Sequence, residues 1–174
     1  MKKLLIPLIC VIVLCFICAI PVQNDLQIYD KVIRLHVLAN SDSDEDQALK
    51  PTVRDGILQS VAELTENCES KSEAEAVLRE NSSVISEKAE KIVRENGCAC
   101  PVSVLIGQEK YPEREYDGLR LPSGEYCSLR INIGDAEGNN WWCVLFPPLC
   151  LDAATNSNED AFISVGFTPD QVQV

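Results

Sequence analysis

The residues with chemical potential fall into a few groups, and each can be tested against the chemistry its spacing would allow. His36 is the only histidine in the chain, and it sits two positions from Arg34. An imidazole near neutral pH suits acid–base work. No serine or cysteine accompanies it at motif spacing, so the pair reads as structural, with Arg34 placed to hold a carboxylate of its own chain. Asp42, Asp44 and Asp46 alternate as in a calcium loop. That template needs glycine at its sixth position and glutamate at its twelfth, where this chain has Gln47 and Val53. Cys98-Ala-Cys100 lacks the usual two-residue gap of zinc ligands, and one histidine cannot complete a common set. No metal and no cofactor is expected. Asp42 or Glu125 could serve a cell-wall hydrolase as a catalytic carboxylate, but no catalytic set is recognisable around either.

The densest apolar stretch is Asn139-Asn140-Trp141-Trp142-Cys143-Val144-Leu145-Phe146-Pro147-Pro148-Leu149-Cys150, which holds both tryptophans. It reads as a central strand, with an exposed recognition patch as the second reading. Both faces of Trp141 to Phe146 are apolar. One must lie against helices, and the other needs a cover or a partner.

The chain has 174 residues and a net charge of −12. Lys2 and Lys3 lead into an unbroken apolar run from Leu4 to Val22. This is an export signal or a membrane anchor over residues 1–24, since about 19 apolar residues just suffice to span a bilayer. Leaving out those two lysines, 13 basic residues face 27 acidic ones, a balance of −14. Such a body is repelled by nucleic acid and by anionic lipid, so its partners are proteins or cations and the membrane is reached only through the anchor. Outside the anchor six cysteines remain: Cys68, Cys98, Cys100, Cys127, Cys143 and Cys150. In an oxidising space they allow fifteen pairings, of which Cys143 with Cys150 is one.

The elements that must position these groups follow from periodicity. After a linker over 25–30, residues 31–38 alternate as a strand, with Ile33, Leu35 and Val37 on one face and Val32, Arg34, His36 and Leu38 on the other. Ser43 and Asp46 have the form of a capping box opening a helix that runs to about Thr65. Pro51 inside it predicts a kink near Gln47 to Leu49 or a late start. Ser72 to Glu75 predicts the start of one long second helix closing at Asn96-Gly97, antiparallel to the first. Strands follow over 102–106, 126–133 and 141–146, the last two joined by a glycine-rich hairpin loop. The expected fold is α+β, a small, mostly antiparallel sheet packed against two antiparallel helices and preceded by the N-terminal hydrophobic segment. The domain spans 31–151, and 152–174 is an irregular tail.

Three blocks carry a family resemblance. They are Ile33-Arg34-Leu35-His36-Val37-Leu38-Ala39-Asn40-Ser41-Asp42-Ser43 with Asp46 to Lys50 and Val53 to Asp55, then Leu121-Pro122-Ser123-Gly124-Glu125-Tyr126, and the stretch from Asn140 to Cys150. In these the chain resembles the stage II sporulation protein R family. Pro51, Thr52 and Gly56 depart from the family pattern, as do Cys68, Cys98, Cys100 and Cys127, whereas Cys143 and Cys150 belong to it. The resemblance implies a non-enzymatic signalling protein, made in the forespore and exported to the space between forespore and mother cell. There it would activate a membrane-embedded aspartic protease, which removes the pro-segment of the sigma factor E precursor. Arg34, Asn40, Asp42, Asp46, Asn140, Trp141 and Trp142 are the expected partner-binding residues. An envelope hydrolase and a purely structural septal domain are the rival readings.

Overall fold

The computed structural model describes residues 28–116 and 119–147. The apolar segment over 1–24 and the tail over 152–174 lie outside the described residues. Among those described, no helix is long and apolar enough to cross a membrane.

Strand β1 (Ile33–Leu38) is buried along its whole length. It is followed by α1 (Asp44–Thr65), α2 (Lys71–Glu80), α3 (Ser82–Glu95), β2 (Val102–Tyr111), the short pair β3 (Arg114–Tyr116) and β4 (Leu119–Leu121), then β5 (Gly124–Ile133) and β6 (Asn140–Phe146). Four strands form one sheet in the order β2-β5-β1-β6, and β3 pairs with β4 apart from it.

The fold departs from the expectation in three respects. Strand β6, read from its apolar run as the central strand, stands last in the described sheet order, and the interior places go to β5 and β1. The sheet is mixed: β1 runs parallel to β5, with Ile33 opposite Cys127, and antiparallel to β6. Local alternation reveals which face a residue takes but not which distant strand lies beside it, so a parallel pairing across some ninety residues left no local mark. Among the described residues there are also three long helices after β1 instead of two. The single long helix expected after Lys71 is divided at Asn81, whose backbone sits at φ −98° and ψ 16°. The Asn81 side chain donates to the Val77 carbonyl at 2.8 Å, in competition with the backbone's own ladder.

Helix α1 begins at Asp44 and continues through Pro51, so it does not start late. Ser43 caps it by accepting from the Asp46 amide at 3.2 Å, and Asp44, Glu45 and Asp46 complement the positive end of the dipole. Helix α2 is capped two residues earlier than its sequence suggests, by Ser70, which accepts from the Glu73 amide. Gly56 has a packing role: a Cβ there would lie 2.4 Å from Ile92 Cδ1, so its absence lets α1 and α3 approach closely.

The two faces of β1 belong to two cores. Ile33, Leu35 and Val37 pack with Val53, Ile57 and Val61 of α1, Leu78 of α2 and Ile85 and Ala89 of α3. On the opposite face Val32 packs with Tyr111, Leu121, Tyr126 and Val144, beside the partly buried Tyr29, Tyr116 and Trp142. The cover the sheet needed on this side is therefore aromatic, and part of it comes from β3 and β4.

Candidate functional site

Two loops cross at the carboxyl ends of the parallel strands β1 and β5, the end of such a sheet where binding sites gather. One leads from β1 into α1, and the other joins β5 to β6. Asn40 links them: its Oδ1 accepts from the Asp135 amide at 3.0 Å, while its Nδ2 donates to Asp46 Oδ2 at 2.9 Å. Ser41 Oγ donates to the same carboxylate oxygen at 2.6 Å. These side-chain bonds, that from Ser41 first, hold the Asp46 carboxyl below its ordinary range against the opposing pull of desolvation. Asp42 Oδ1 accepts from the Asn139 amide at 2.7 Å. Lys50 is buried and donates to Gln47 Oε1 and to the Asn139 carbonyl at 2.7 and 2.8 Å. Burial lowers its ammonium pKa, and the nearby Asp42 carboxylate opposes that. Asn40, Asp42 and Asp46 thus lie in one cross-braced cluster. Gln47, Lys50 and Asn139 belong to it as well; Gln47 and Lys50 fall in a block that carries the family resemblance and Asn139 opens the apolar stretch, but the sequence alone singles out none of the three as a site residue.

His36 lies on β1 opposite Trp142 of the neighbouring β6, on the aromatic face. Its Nδ1 is 2.8 Å from Glu109 Oε1 and its Nε2 is 2.7 Å from Asn140 Oδ1. Glu109 Oε2 accepts from Ser128 Oγ at 2.8 Å, and Ser128 in turn shares a 2.6 Å bond with the Tyr111 hydroxyl. Burial pushes the Tyr111 hydroxyl well above its usual range. A serine, a histidine and a carboxylate meet here, but in the wrong order for nucleophilic catalysis. The hydroxyl donates to the carboxylate, not to the imidazole, and Ser128 is buried. The cluster holds β2, β5, β1 and β6 together side by side.

Desolvation raises the Glu109 pKa, yet the bonds from His36 and Ser128 outweigh it, and the net value lies below the ordinary 4.5. A folded pKa below the unfolded one gives stability that is present above about 4.5 and is lost as pH falls through the folded value. Urea midpoints followed from pH 6 to pH 3 should therefore fall, and in Glu109→Gln this part of the fall should be missing. An identical acid profile for both proteins would remove Glu109 from the account.

Arg34 is fully buried between three tyrosine rings, with its guanidinium carbon 4.1 Å from the Tyr111 centroid, 5.1 Å from Tyr126 and 5.4 Å from Tyr116. Its Nη2 donates to the Tyr116 hydroxyl. It holds no carboxylate among the described residues; aromatic faces replace the expected acid. Its place is in the support of β3, out of reach of any surface.

The two tryptophans point to opposite sides of β6. Trp141 is 37% exposed, with the Arg54 guanidinium 4.5 Å above its ring. Trp142 is half-buried beside His36 and carries Arg114 at 4.8 Å on its face. Strand β6 has no second neighbour among the described residues, and both rings flank that edge. Cys143 is disulfide-bonded; Cys150, its expected partner, lies outside the described residues. Cys98 and Cys100 are bonded to each other, while Cys68 and Cys127 are free thiols.

Asp42 and Glu125, each on its own a candidate for a hydrolase's catalytic carboxylate, lie at opposite ends of the sheet, so they do not form a pair. Glu125 is the second residue of β5, and the loop holding Asp42 meets the far end of that strand roughly 25 Å away at about 3.3 Å per residue. Paired glycosidase carboxylates stand within about 10 Å of each other. These two cannot work on one bond.

A family model described as stage II sporulation protein R matches residues 29–156. The chain is 39% identical over 122 residues to the stage II sporulation protein R of Bacillus subtilis (strain 168), a match that covers 70% of this chain and 54% of that protein. The chain thus spans about half the length of the curated relative it matches. No solved structure matches it.

Proposed function

Since the chain belongs to the stage II sporulation protein R family, we propose that it is an exported, non-catalytic signal that activates a membrane-embedded aspartic protease, and so triggers processing of the sigma factor E precursor. In this reading the apolar segment over 1–24 carries the chain out of the forespore and can hold it at the membrane, and Cys143 pairs with Cys150 to brace the end of β6. The protein acts by binding the active state of the protease more tightly than the inactive one, which is all a ligand needs in order to shift such an equilibrium.

The observation that carries the proposal is the joining of the loop cluster to an aromatic sheet edge that no described strand covers. Asn40, Asp42 and Asp46 fix the loop, Asn140 ties it to His36, and Trp141 stands exposed at the start of β6. An aromatic anchor with a polar rim is the usual anatomy of an interface. Trp142 supports that edge from the aromatic face, and Arg34 supports β3 on the same face.

Trp141→Ala separates binding from folding. The ring is partly exposed, so its loss should change stability by about 1 kcal/mol or less, mainly through the Arg54 contact. As an anchor at the interface it should weaken activation by roughly 30-fold or more, the equivalent of about 2 kcal/mol. The dose of exported protein needed for half-maximal precursor cleavage measures this. A folded Trp141→Ala protein with the wild-type dose response would take β6 out of the interface.

A further inference from the structure

We propose that Cys98, Cys100 and Asp46 form a redox-gated site for a thiophilic divalent cation such as Zn2+. The ligand atoms of these three residues lie within 4.8 Å of one another. Two thiolates and one carboxylate are donors Zn2+ accepts, and three protein ligands leave a fourth position for water or a partner's group. The spacing Cys98-Ala-Cys100 argues against zinc only while the ligands are sought along the sequence. The third donor comes from the first turn of α1, which the fold brings to the connection between α3 and β2.

The surroundings suit a metal centre. Asn40 and Ser41 both donate to Asp46 Oδ2, so the carboxylate's direction is fixed in the way outer-shell donors fix a ligand. The Cys100 amide donates to Cys98 Sγ at 3.2 Å, an interaction that favours a charged sulfur. A cavity of about 550 Å3 lined by Cys98, Cys100, Gly97, Pro101, Glu90 and Arg94 opens beside the pair and admits an ion or a small thiol.

The two sulfurs are joined as a disulfide, and in that state they are not thiolate ligands. Only one residue separates them, so this bond closes the shortest of loops and restrains the unfolded chain little. Chain cross-linking is therefore a weak reason for its presence. Reduction by a dithiol transfers two electrons and two protons to the cysteine pair and leaves the dithiol as its own disulfide. The cation then binds both sulfurs and releases both thiol protons. Because Asp46 also holds Asn40 and Ser41, the occupied site would tie the connection between α3 and β2 to the loop cluster. The proposal does not depend on protease activation, and its test reads the metal directly.

The full-length chain in detergent, reduced with a phosphine under anaerobic conditions, is titrated with Co2+. The expected result is one Co2+ per chain with a strong near-ultraviolet thiolate-to-cobalt band, displaced by Zn2+, and no band from the oxidised chain. Cys98→Ser with Cys100→Ser should abolish the band, and Asp46→Asn should weaken binding by about 10-fold or more. Cys98→Ser alone leaves the loop cluster intact and must also lose tight binding. The proposal is overturned if the reduced chain gives no band, if the band survives in the double variant, or if a folded Asp46→Asn chain binds with wild-type affinity.

Discussion

Arg34→Ala should destabilise the domain by about 3–5 kcal/mol, the largest single effect we expect. Alanine removes a fully buried side chain from between Tyr111, Tyr116 and Tyr126, leaving a cavity and depriving the Tyr116 hydroxyl of its donor. The charge is a separate matter. Nε and Nη1 have no hydrogen-bond partner among the described residues, and a buried guanidinium so incompletely paired offsets part of what its packing contributes. Arg34→Met keeps most of the volume and discards the charge, so it should cost about 1.5 kcal/mol or less. With an m-value of about 2 kcal/mol/M, the two variants should differ by roughly 0.8 M or more in urea midpoint. Equal midpoints would mean that cation–aromatic attraction, and not volume, holds this face together.

Gly134→Ala should follow, at about 2–4 kcal/mol, for two reasons that add. Gly134 has φ +59°, the left-handed region, where a Cβ costs about 1 kcal/mol. That Cβ would also lie 2.0 Å from Asn40 Oδ1. The overlap forces Asn40 away from the Asp135 amide and from Asp46, so both bracing bonds of the crossed loops are lost together. The measurements are the urea midpoint and, in the same preparation, the dose response for activation. Asn40→Ala removes those bonds without the backbone strain and should reproduce the functional loss at a smaller loss of stability. If Gly134→Ala keeps the wild-type midpoint, the crossed loops are not the rigid element described here.

Much of this was legible because it is local. Ser43 followed by acids marks the entry to α1, alternation sorts Ile33, Leu35 and Val37 from Arg34 and His36, and the two-faced run from Trp141 to Phe146 signals a strand that needs covering on both sides. The division at Asn81 also had a signal, an asparagine and two serines within an otherwise regular helical pattern, outweighed by the apolar stripe around it. The rest depended on residues far apart in the chain. Glu109 reaches His36 from 73 positions away, Lys50 bonds a carbonyl 89 positions on, and β5 runs parallel to β1 through a register no local pattern encodes. The acid expected beside Arg34 was inferred from charge alone, and the three tyrosines that took its place come from β2, β3 and β5. The same distance concealed Asp46 from Cys98 and Cys100.

The most direct test of the central claim uses a bacterium that does not sporulate. The aspartic protease and the sigma factor E precursor are expressed there with and without this protein exported beside them, and precursor cleavage is read on a gel. The account predicts cleavage only when the exported protein is present, with Trp141→Ala shifting the dose and Gly134→Ala abolishing the effect. Equal cleavage without the protein, or none when all three are present in their proper compartments, would contradict it.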